Sequence, residues 1–260
     1  MSRYALALCY FGGRFHGWQV QKNAVTVQQT LQNAFETTFG FRPDVSGCSR
    51  TDSGVHALHY VCHTDLPTET VPPEKLPLAL NASLHGSGLA VKRALAVPDD
   101  FHARYSARGK RYEYRIWNAP YADPFSEGRA LHFPKRIDET KLAFFAEEIT
   151  GKHDFRAFMA DGGKEIADTT RTVTDFHTVR SGDLLTLSVS ADGFLYNMVR
   201  IIAGTYLAAA LGSVGKGDVT RILLGRDRAS AGDTAPACAL YLTDVFYDEP
   251  LYSRLHGKNP

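Results

Sequence analysis

The residue with the clearest chemical potential is Asp52, which lies in the stretch GCSRTDSGVHA at 47–57. One carboxylate between two hydroxyl residues, with glycines on either side and Arg50 two positions earlier, is typical of a tight loop that presents an ionised group. Residues 58–64 are rich in aromatic and β-branched types and predict a strand, on which a reactive group can be held rigidly. The alternative is that Ser53-Gly54 marks a turn and Asp52 only caps its backbone.

A second charged residue is notable because its neighbours are apolar. Arg200 lies within FLYNMVRII at 194–202, where burying an unpaired guanidinium would be very costly. It therefore needs an acidic partner or a polar cleft, unless it reaches the surface from a helix end. Pairing with Asp52 would keep that carboxylate ionised, as a nucleophile or a general base requires.

Positive charge and aromatic rings are interleaved between residues 101 and 115. Five basic side chains and one glutamate leave a local excess of +4, whereas the net charge of the whole chain is +1. Cations for phosphates beside planar rings for unstacked bases suit single-stranded nucleic acid. A solvated strand face with core tyrosines is the alternative interpretation.

The elements that must position these residues occur in two similar groups. With 260 residues, 44% hydrophobic and 22% charged, the chain has the composition of a folded protein. We predict an α+β fold of two ferredoxin-like halves, 1–105 and 106–260, each with a largely antiparallel sheet, helices on one side, and a cleft between the halves. The predicted strands are 4–11, 58–64, 89–96, 111–117, 170–178, 184–190 and 240–247; the predicted helices are 27–39, 76–81, 138–150, 196–211 and a short one behind Asp218.

Metals and cofactors are not indicated. The only cluster of metal-ligand types is His56, His59, Cys62 and His63, and on a strand His59 and His63 share a face but stand ~13 Å apart. The glycines of 212–217 are in the wrong order for a dinucleotide loop or a P-loop. We therefore expect no metal and no cofactor.

The four cysteines contain no C-x-x-C pair, which favours reduced thiols in a cytoplasmic protein over a zinc ribbon or a disulfide framework. The apolar N-terminal stretch is short and predicts a core strand rather than a signal peptide. The longest apolar stretch, 193–211, contains Asn197 and Arg200, so we expect no membrane span.

Several motifs in a fixed order resemble those of one enzyme family, the A family of tRNA pseudouridine synthases. They are FHGWQ at 15–19, RTDSGVHA at 50–57, DFHARYSA at 100–107, YEY at 112–114, HDF at 153–155, TRT at 170–172 and LYL at 240–242. Departures from the family pattern are Ser49 and Ala239 where glycine is usual and Ser53 where alanine is. Ser53 can add a hydrogen bond beside Asp52, and Ala239 can alter the wall of the base pocket.

The resemblance implies an isomerase that converts uridine to pseudouridine at positions 38–40 of the tRNA anticodon stem-loop, without a cofactor, as a homodimer. It implies that Asp52 is the catalytic carboxylate and that Tyr112 stacks on the target uracil. Arg50 is the candidate to fill the gap left by the flipped uridine. Arg200 would keep Asp52 charged, and Leu240 would pack against the uracil.

Two other functions are compatible with parts of the sequence. Asp52-Ser53-Gly54 matches the D-[ST]-G of aspartic proteases, which need two aspartates sharing a proton. No second such motif occurs in the chain, and although a dimer could supply one, the arginines would keep the carboxylate fully charged. The other rival is a non-catalytic RNA-binding protein on the same fold.

Overall fold

A computed structural model describes residues 1–67, 71–162 and 166–257. The chain forms two compact units. The first comprises Met1–Arg108 and the segment that begins at Tyr241, and the second comprises Gly109–Leu240. Both units combine strands and helices, and their strands pair mostly antiparallel, so the predicted α+β class is confirmed.

The first unit is built on a sheet in which four strands are neighbours in the order β4-β1-β3-β10, with β2 paired to β3. All these pairs are antiparallel except β3–β10, in which Tyr241 is opposite His56. The elements are β1 Ser2–Tyr10, α1 Val27–Phe39, β2 Val45–Gly47, β3 His56–Leu66, α2 Leu76–Leu84, β4 Leu89–Ala96, β10 Leu240–Phe246 and α6 Leu251–His256, with 3-10 turns at Gly12–Arg14 and Pro73–Lys75.

The local sequence explains the central elements of this unit. The middle of β1 is buried on both faces, as its uninterrupted apolar sequence predicts. Helix α1 begins where the Thr26 side chain accepts a hydrogen bond from the Gln29 backbone N–H, and it ends at Gly40, whose φ is +77°. The buried side of α1 includes Leu31 and Phe35.

The second unit has a sheet with neighbours in the order β5-β9-β8-β7, all antiparallel, and a short β6 parallel to β5. Three rings, those of Phe145, Phe176 and Tyr206, contact one another in its core. The elements are β5 Gly109–Trp117, β6 Leu131–His132, α3 Ala143–Ile149, β7 Gly151–Asp154, β8 Thr170–Ser181, β9 Leu184–Ala191, α4 Met198–Ala210 and α5 Asp218–Gly225, with 3-10 turns at Glu139–Leu142, Arg156–Phe158, Arg228–Ser230 and Ala237–Ala239.

Two features differ from the sequence prediction. The segment from Tyr241 onward, which was assigned to the second half, belongs to the first unit because β10 pairs with β3 and the Tyr247 hydroxyl donates to the Ala103 carbonyl over 2.6 Å. Asp138 caps the 3-10 turn Glu139–Leu142, which precedes α3, so the α-helix Ala143–Ile149 is shorter than the predicted 138–150. Within the described ranges, no helix is long and apolar enough to cross a membrane.

Candidate active site

The Asp52 loop is held by the segment that connects β1 to α1. The Trp18 backbone N–H donates to the Thr51 carbonyl over 3.1 Å, and the Gly54 N–H donates to the Phe15 carbonyl over 3.3 Å. Within the loop, the Val55 N–H donates to the Asp52 carbonyl over 3.2 Å. These bonds fix the backbone on both sides of Asp52, whose side chain is half-buried.

Two glycines allow the close approach of these segments. A Cβ on Gly17 would lie 2.7 Å from the Thr51 carbonyl oxygen, and the φ of Gly17 is +89°, a region that favours glycine. A Cβ on Gly12 would lie 2.1 Å from the Val55 carbonyl oxygen. The motif FHGWQ thus supports the Asp52 loop through its backbone.

Buried side chains beneath the loop complete its support. The hydroxyls of Tyr10 and Thr51 share a hydrogen bond of 2.8 Å. The Trp18 and Tyr60 rings stack with their centroids 4.3 Å apart. His56, four residues after Asp52, is fully buried and its Nδ1 accepts a hydrogen bond from the Gly12 N–H over 2.9 Å. Because Nδ1 is an acceptor, the neutral ring carries its proton on Nε2.

The other residues of the loop have different environments. Arg50 is exposed, two residues from Asp52 on the same loop. Ser53 is also exposed, and its hydroxyl has no hydrogen-bond partner within the described ranges, so the expected hydrogen bond beside Asp52 is not formed. The Ser49 carbonyl accepts a hydrogen bond from the Tyr60 hydroxyl. The loop therefore places the Asp52 carboxylate and the exposed Arg50 side chain on one backbone segment.

Tyr112 lies on β5 in the second unit, opposite Val189 of β9. Its ring is 6% exposed and meets Phe194 edge to face, with 5.1 Å between centroids. Tyr112 and Tyr114 are both buried on the same face of the strand, as the alternation predicts. Burial raises the pKa of the Tyr114 hydroxyl, which donates to the Pro236 carbonyl over 3.0 Å.

Arg200 lies in the first turn of α4 and is half-buried. Its Nε donates to the Ala235 carbonyl over 2.7 Å and one terminal nitrogen donates to Asn197 Oδ1 over 2.8 Å. Asn197 has a φ of +59° just before the helix. The predicted need for polar surroundings is thus met in part by a carbonyl and an amide.

The segment 232–236 packs tightly on α4. A Cβ on Gly204 would lie 1.8 Å from the Asp233 carbonyl oxygen, and the Gly232 N–H donates to Thr205 Oγ1 over 3.0 Å. Two consecutive carbonyls of this segment, those of Ala235 and Pro236, accept hydrogen bonds from Arg200 and Tyr114 respectively. A single backbone segment therefore joins the helix of Arg200 to the strand of Tyr112.

Leu240 follows the same segment through the 3-10 turn Ala237–Ala239. It is 6% exposed and is the first residue of β10. Ala239 is fully buried. The structure thus ties Tyr112, Arg200 and Leu240 to one framework in the second unit, and it places Arg50 and Asp52 together on one loop of the first unit.

The histidines singled out as metal-ligand types are occupied by other contacts. The His59 ring stacks on His256 with centroids 3.8 Å apart, and His63 Nδ1 accepts from the Ala103 N–H over 3.1 Å. In the parts of the chain that the structure describes, no three His, Cys, Asp or Glu side chains form a group that could hold a metal ion.

Comparison with known proteins identifies the family. A family model described as tRNA pseudouridine synthase matches residues 6–106 and 145–248. The chain belongs to the tRNA pseudouridine synthase family. It is 43% identical over 249 residues to a protein from Thermoanaerobacter sp. (strain X514) and 40% identical over 248 residues to one from Ruminiclostridium cellulolyticum, covering 95% of this chain and 100% of each relative.

A third member of the family, from Bacillus subtilis (strain 168), is 40% identical over 95% of this chain and 99% of its own length. All three relatives are named tRNA pseudouridine synthase A. A solved structure of an unknown protein from Galdieria sulphuraria aligns with a TM-score of 0.19 and 8% identity over 81% of this chain and 92% of that one, and this likeness carries no argument.

Reasoning from sequence missed the residues that support the site. The roles of Gly12 and Gly17 depend on backbone contacts with residues about 35 to 45 positions later, which leave no local pattern. For Tyr114 the sequence left open a core position or a contact with nucleic acid, and nothing in it indicated the hydrogen bond to the Pro236 carbonyl. The repeated glycines of 12–17 were the one signal of a close backbone approach.

Proposed function

We propose that this chain converts uridine to pseudouridine in the anticodon stem-loop of tRNA, at positions 38–40, with Asp52 as the catalytic carboxylate. The observation that carries the proposal is the Asp52 loop, which is held by buried aromatic residues and backbone hydrogen bonds. The chain also matches relatives named tRNA pseudouridine synthase A over 95% of its length. A carboxylate that serves only as a turn cap does not need such support.

The reaction is a rearrangement within one nucleotide. The bond from ribose C1′ to uracil N1 breaks, the ring turns, and C1′ bonds to C5. C5 then loses its proton to water, and N1 takes up a proton from water. No electron acceptor is consumed, so the step balances without a redox cofactor. A carboxylate acts by attacking the nucleotide or by stabilising the positive sugar, and both require Asp52 to be ionised.

The remaining residues have supporting roles in this proposal. Tyr112 stacks on the uracil and assists proton movement at C5, and Leu240 packs against the same base. Arg200 supplies the positive charge that keeps the Asp52 carboxylate ionised. Arg50, exposed beside Asp52, fills the gap that the flipped uridine leaves in the RNA.

We further propose that the enzyme acts in the cytoplasm as a homodimer. Support for the cytoplasm comes from four cysteines that are free thiols, two of them buried. The dimer rests on the family resemblance, and sedimentation of the purified chain with and without tRNA tests it.

The decisive experiment uses tRNA labelled with tritium at uracil C5 and measures label released to water. We expect release by the native chain without added cofactor, and none by Asp52→Asn. Asp138→Asn is the matched control, because Asp138 caps a 3-10 turn in the second unit and its loss affects only stability. Release by Asp52→Asn at the native rate would overturn the proposal.

The ring and the hydroxyl of Tyr112 have separate roles in this proposal. Tyr112→Ala is expected to lose both stacking on the uracil and turnover, whereas Tyr112→Phe retains tRNA binding and loses turnover.

Two further measurements separate the rival functions. Tight tRNA binding by the native chain without tritium release would instead support a non-catalytic RNA-binding protein. Cleavage of a denatured protein substrate would support the protease.

A further inference from the structure

An exposed aromatic ring lies on the turn before β5, in a part of the first unit that the proposed reaction does not use. The Tyr105 side chain is 77% exposed. Its ring nevertheless has a fixed neighbour, because its centroid lies 4.3 Å from that of His102 at an angle of 37°. His102 in turn contacts the buried His63 ring at 4.6 Å. The rings of His63 on β3, His102 and Tyr105 thus contact one another in that order, and Tyr105 is the outermost.

The turn that presents Tyr105 is closed by its own hydrogen bonds. His102 Nδ1 accepts from the backbone N–H of Arg104 over 3.1 Å and from that of Tyr105 over 3.4 Å. The His102 N–H donates to Ser106 Oγ over 3.0 Å, and the Ser106 N–H donates to the His102 carbonyl over 2.9 Å. The backbone that carries the exposed ring is therefore fixed before any ligand binds.

The same turn is anchored to the sheet from beneath. The Ala103 N–H donates to His63 Nδ1, and the Tyr247 hydroxyl donates to the Ala103 carbonyl over 2.6 Å. The Arg3 guanidinium donates to the Phe101 carbonyl over 3.0 Å while it also pairs with Asp65. This rigidity matters because a preformed stacking surface loses little conformational entropy when a ligand binds.

A cation accompanies the ring. The Arg104 guanidinium lies 5.8 Å from the centroid of Tyr105 and is exposed. Within residues 1–67, 71–162 and 166–257, neither the Arg104 guanidinium nor the Tyr105 hydroxyl has a hydrogen-bond partner. Burial, together with the charges of Arg3 and Arg104, lowers the pKa of His102, so its ring stays neutral at neutral pH.

We propose that Tyr105 and Arg104 form a subsite for one unpaired nucleotide of the RNA substrate, with the base stacked on the Tyr105 ring and an adjacent phosphate bound by Arg104. An exposed, rigid ring beside an unpaired guanidinium supplies the two contacts that single-stranded nucleic acid uses. This subsite rests on the proposed action on tRNA, and it lies on the 99–106 turn rather than on the Asp52 loop.

The test measures binding of an unmodified tRNA transcript to variants made in the Asp52→Asn background, where turnover does not interfere. We expect Tyr105→Ala to weaken binding by roughly 5- to 150-fold, which is the loss of one base stack. Tyr105→Phe keeps the ring and should bind within about 2-fold of the parent by the same reasoning. Tyr121→Ala is the control, since Tyr121 is 63% exposed and stacks on no other ring in the described residues.

Salt dependence separates the two contacts. Arg104→Gln should reduce the slope of log Kd against log salt concentration by about 0.7, as expected for one phosphate contact. Tyr105→Ala should leave the slope unchanged, because stacking releases no counterion. Equal slopes in the parent and Arg104→Gln would overturn the phosphate contact.

Other outcomes separate this subsite from the proposed reaction. If the native chain releases tritium but Tyr105→Ala binds tRNA like its parent, the subsite is overturned and the reaction stands. If the native chain releases none but its binding depends on Tyr105, the subsite stands without the reaction. Conversion of a dimer to a monomer by Tyr105→Ala in sedimentation without RNA would overturn the subsite in favour of a contact with a second copy.

Discussion

The backbone N–H of Trp18 donates a hydrogen bond to the carbonyl of Thr51, the residue before Asp52. The two residues are far apart in sequence, yet this bond decides where the carboxylate is presented. It forms only because Gly17, next to Trp18, has no side chain where the Thr51 carbonyl lies. The position of the proposed catalytic group therefore depends on a glycine that has no chemistry of its own.

Replacing Gly17 by alanine should reduce turnover by roughly 100-fold. The new Cβ would lie 2.7 Å from the Thr51 carbonyl oxygen at a φ of +89°, so the Asp52 loop must shift, and a displacement of ~1 Å can cost ~100-fold in rate. Gly40→Ala is the matched control, because Gly40 has a φ of +77° but an open surrounding. That control should lose ~1 kcal/mol of stability and keep its activity. Equal tritium release by the two variants would contradict the prediction.

Removing the Arg200 charge should move the acid limb of the pH–rate profile. If Arg200 keeps Asp52 ionised as proposed, removing the guanidinium makes protonation of Asp52 easier, so in Arg200→Gln the limb should shift to higher pH by ~1 to 3 units. Arg200→Lys retains the charge but loses the hydrogen bonds to Ala235 and Asn197. The Arg200→Lys variant should therefore turn over slowly, and the acid limb of its pH–rate profile should lie near the native pH. An unshifted limb in Arg200→Gln would exclude the electrostatic role.

Tyr114→Phe tests the segment 232–236, whose carbonyls accept hydrogen bonds from Tyr114 and Arg200. The variant loses the hydrogen bond to the Pro236 carbonyl, at a cost of ~1 kcal/mol in unfolding free energy. Because the Ala235 carbonyl beside it holds Arg200, we expect turnover to fall by ~10-fold, the effect of a small loss of positioning. Tyr252→Phe loses a comparable bond to Asp244 outside the proposed site. Its stability should fall similarly while its turnover remains native.

Acid should destabilise the first unit through His59. Burial, with the nearby charges of His256 and Lys92, lowers the pKa of His59 from 6.5 to about 4. Below pH 6.5 His59 is protonated in the unfolded chain but not in the folded chain. The free energy of unfolding therefore falls as the pH drops from 6.5 to about 4. The loss from His59 is ~2 kcal/mol between pH 7.5 and 5. His63, with its pKa lowered to about 4 mainly by burial, acts in the same direction.

Denaturant unfolding of His59→Phe at both pH values measures this contribution. Phenylalanine preserves the ring that stacks on His256 and removes Nε2, which is buried without a hydrogen bond in the described structure. The variant should lose ~2 kcal/mol less than the native chain between pH 7.5 and 5. His85→Phe, at an exposed position, should follow the native curve. Parallel losses in His59→Phe and the native chain would contradict the assignment.

The sequence was sufficient for elements with a strong local pattern. The spacing of Leu31 and Phe35, the Thr26 cap and Gly40 defined α1, and the alternation of Tyr112 and Tyr114 defined β5. The short strands β2, β6 and β7 could not be predicted, because their few residues have no period and they form only by pairing with a neighbour. The place of β10 beside β3 is likewise a long-range pairing.

For the candidate site, the sequence identified residues by their chemical type, but it did not show the backbone contacts that position them. An aspartate in a glycine-flanked loop and an arginine in an apolar run can be recognised by their chemistry alone. Their supports cannot, because the Ala235 carbonyl and the Gly17 backbone make contacts that any residue's main chain can offer. The exposure of Ser53 also depends on the direction of the loop rather than on its composition.

The return of β10 to the first unit has a consequence for biosynthesis. A chain emerging from the ribosome exposes β3 long before its parallel neighbour at Tyr241 exists. The second unit, encoded without interruption between residues 109 and 240, has all its strands earlier. During synthesis the second unit should therefore fold before the first unit is complete. A transcript truncated before residue 241 would yield a product whose first unit lacks a strand and presents an open, aggregation-prone edge.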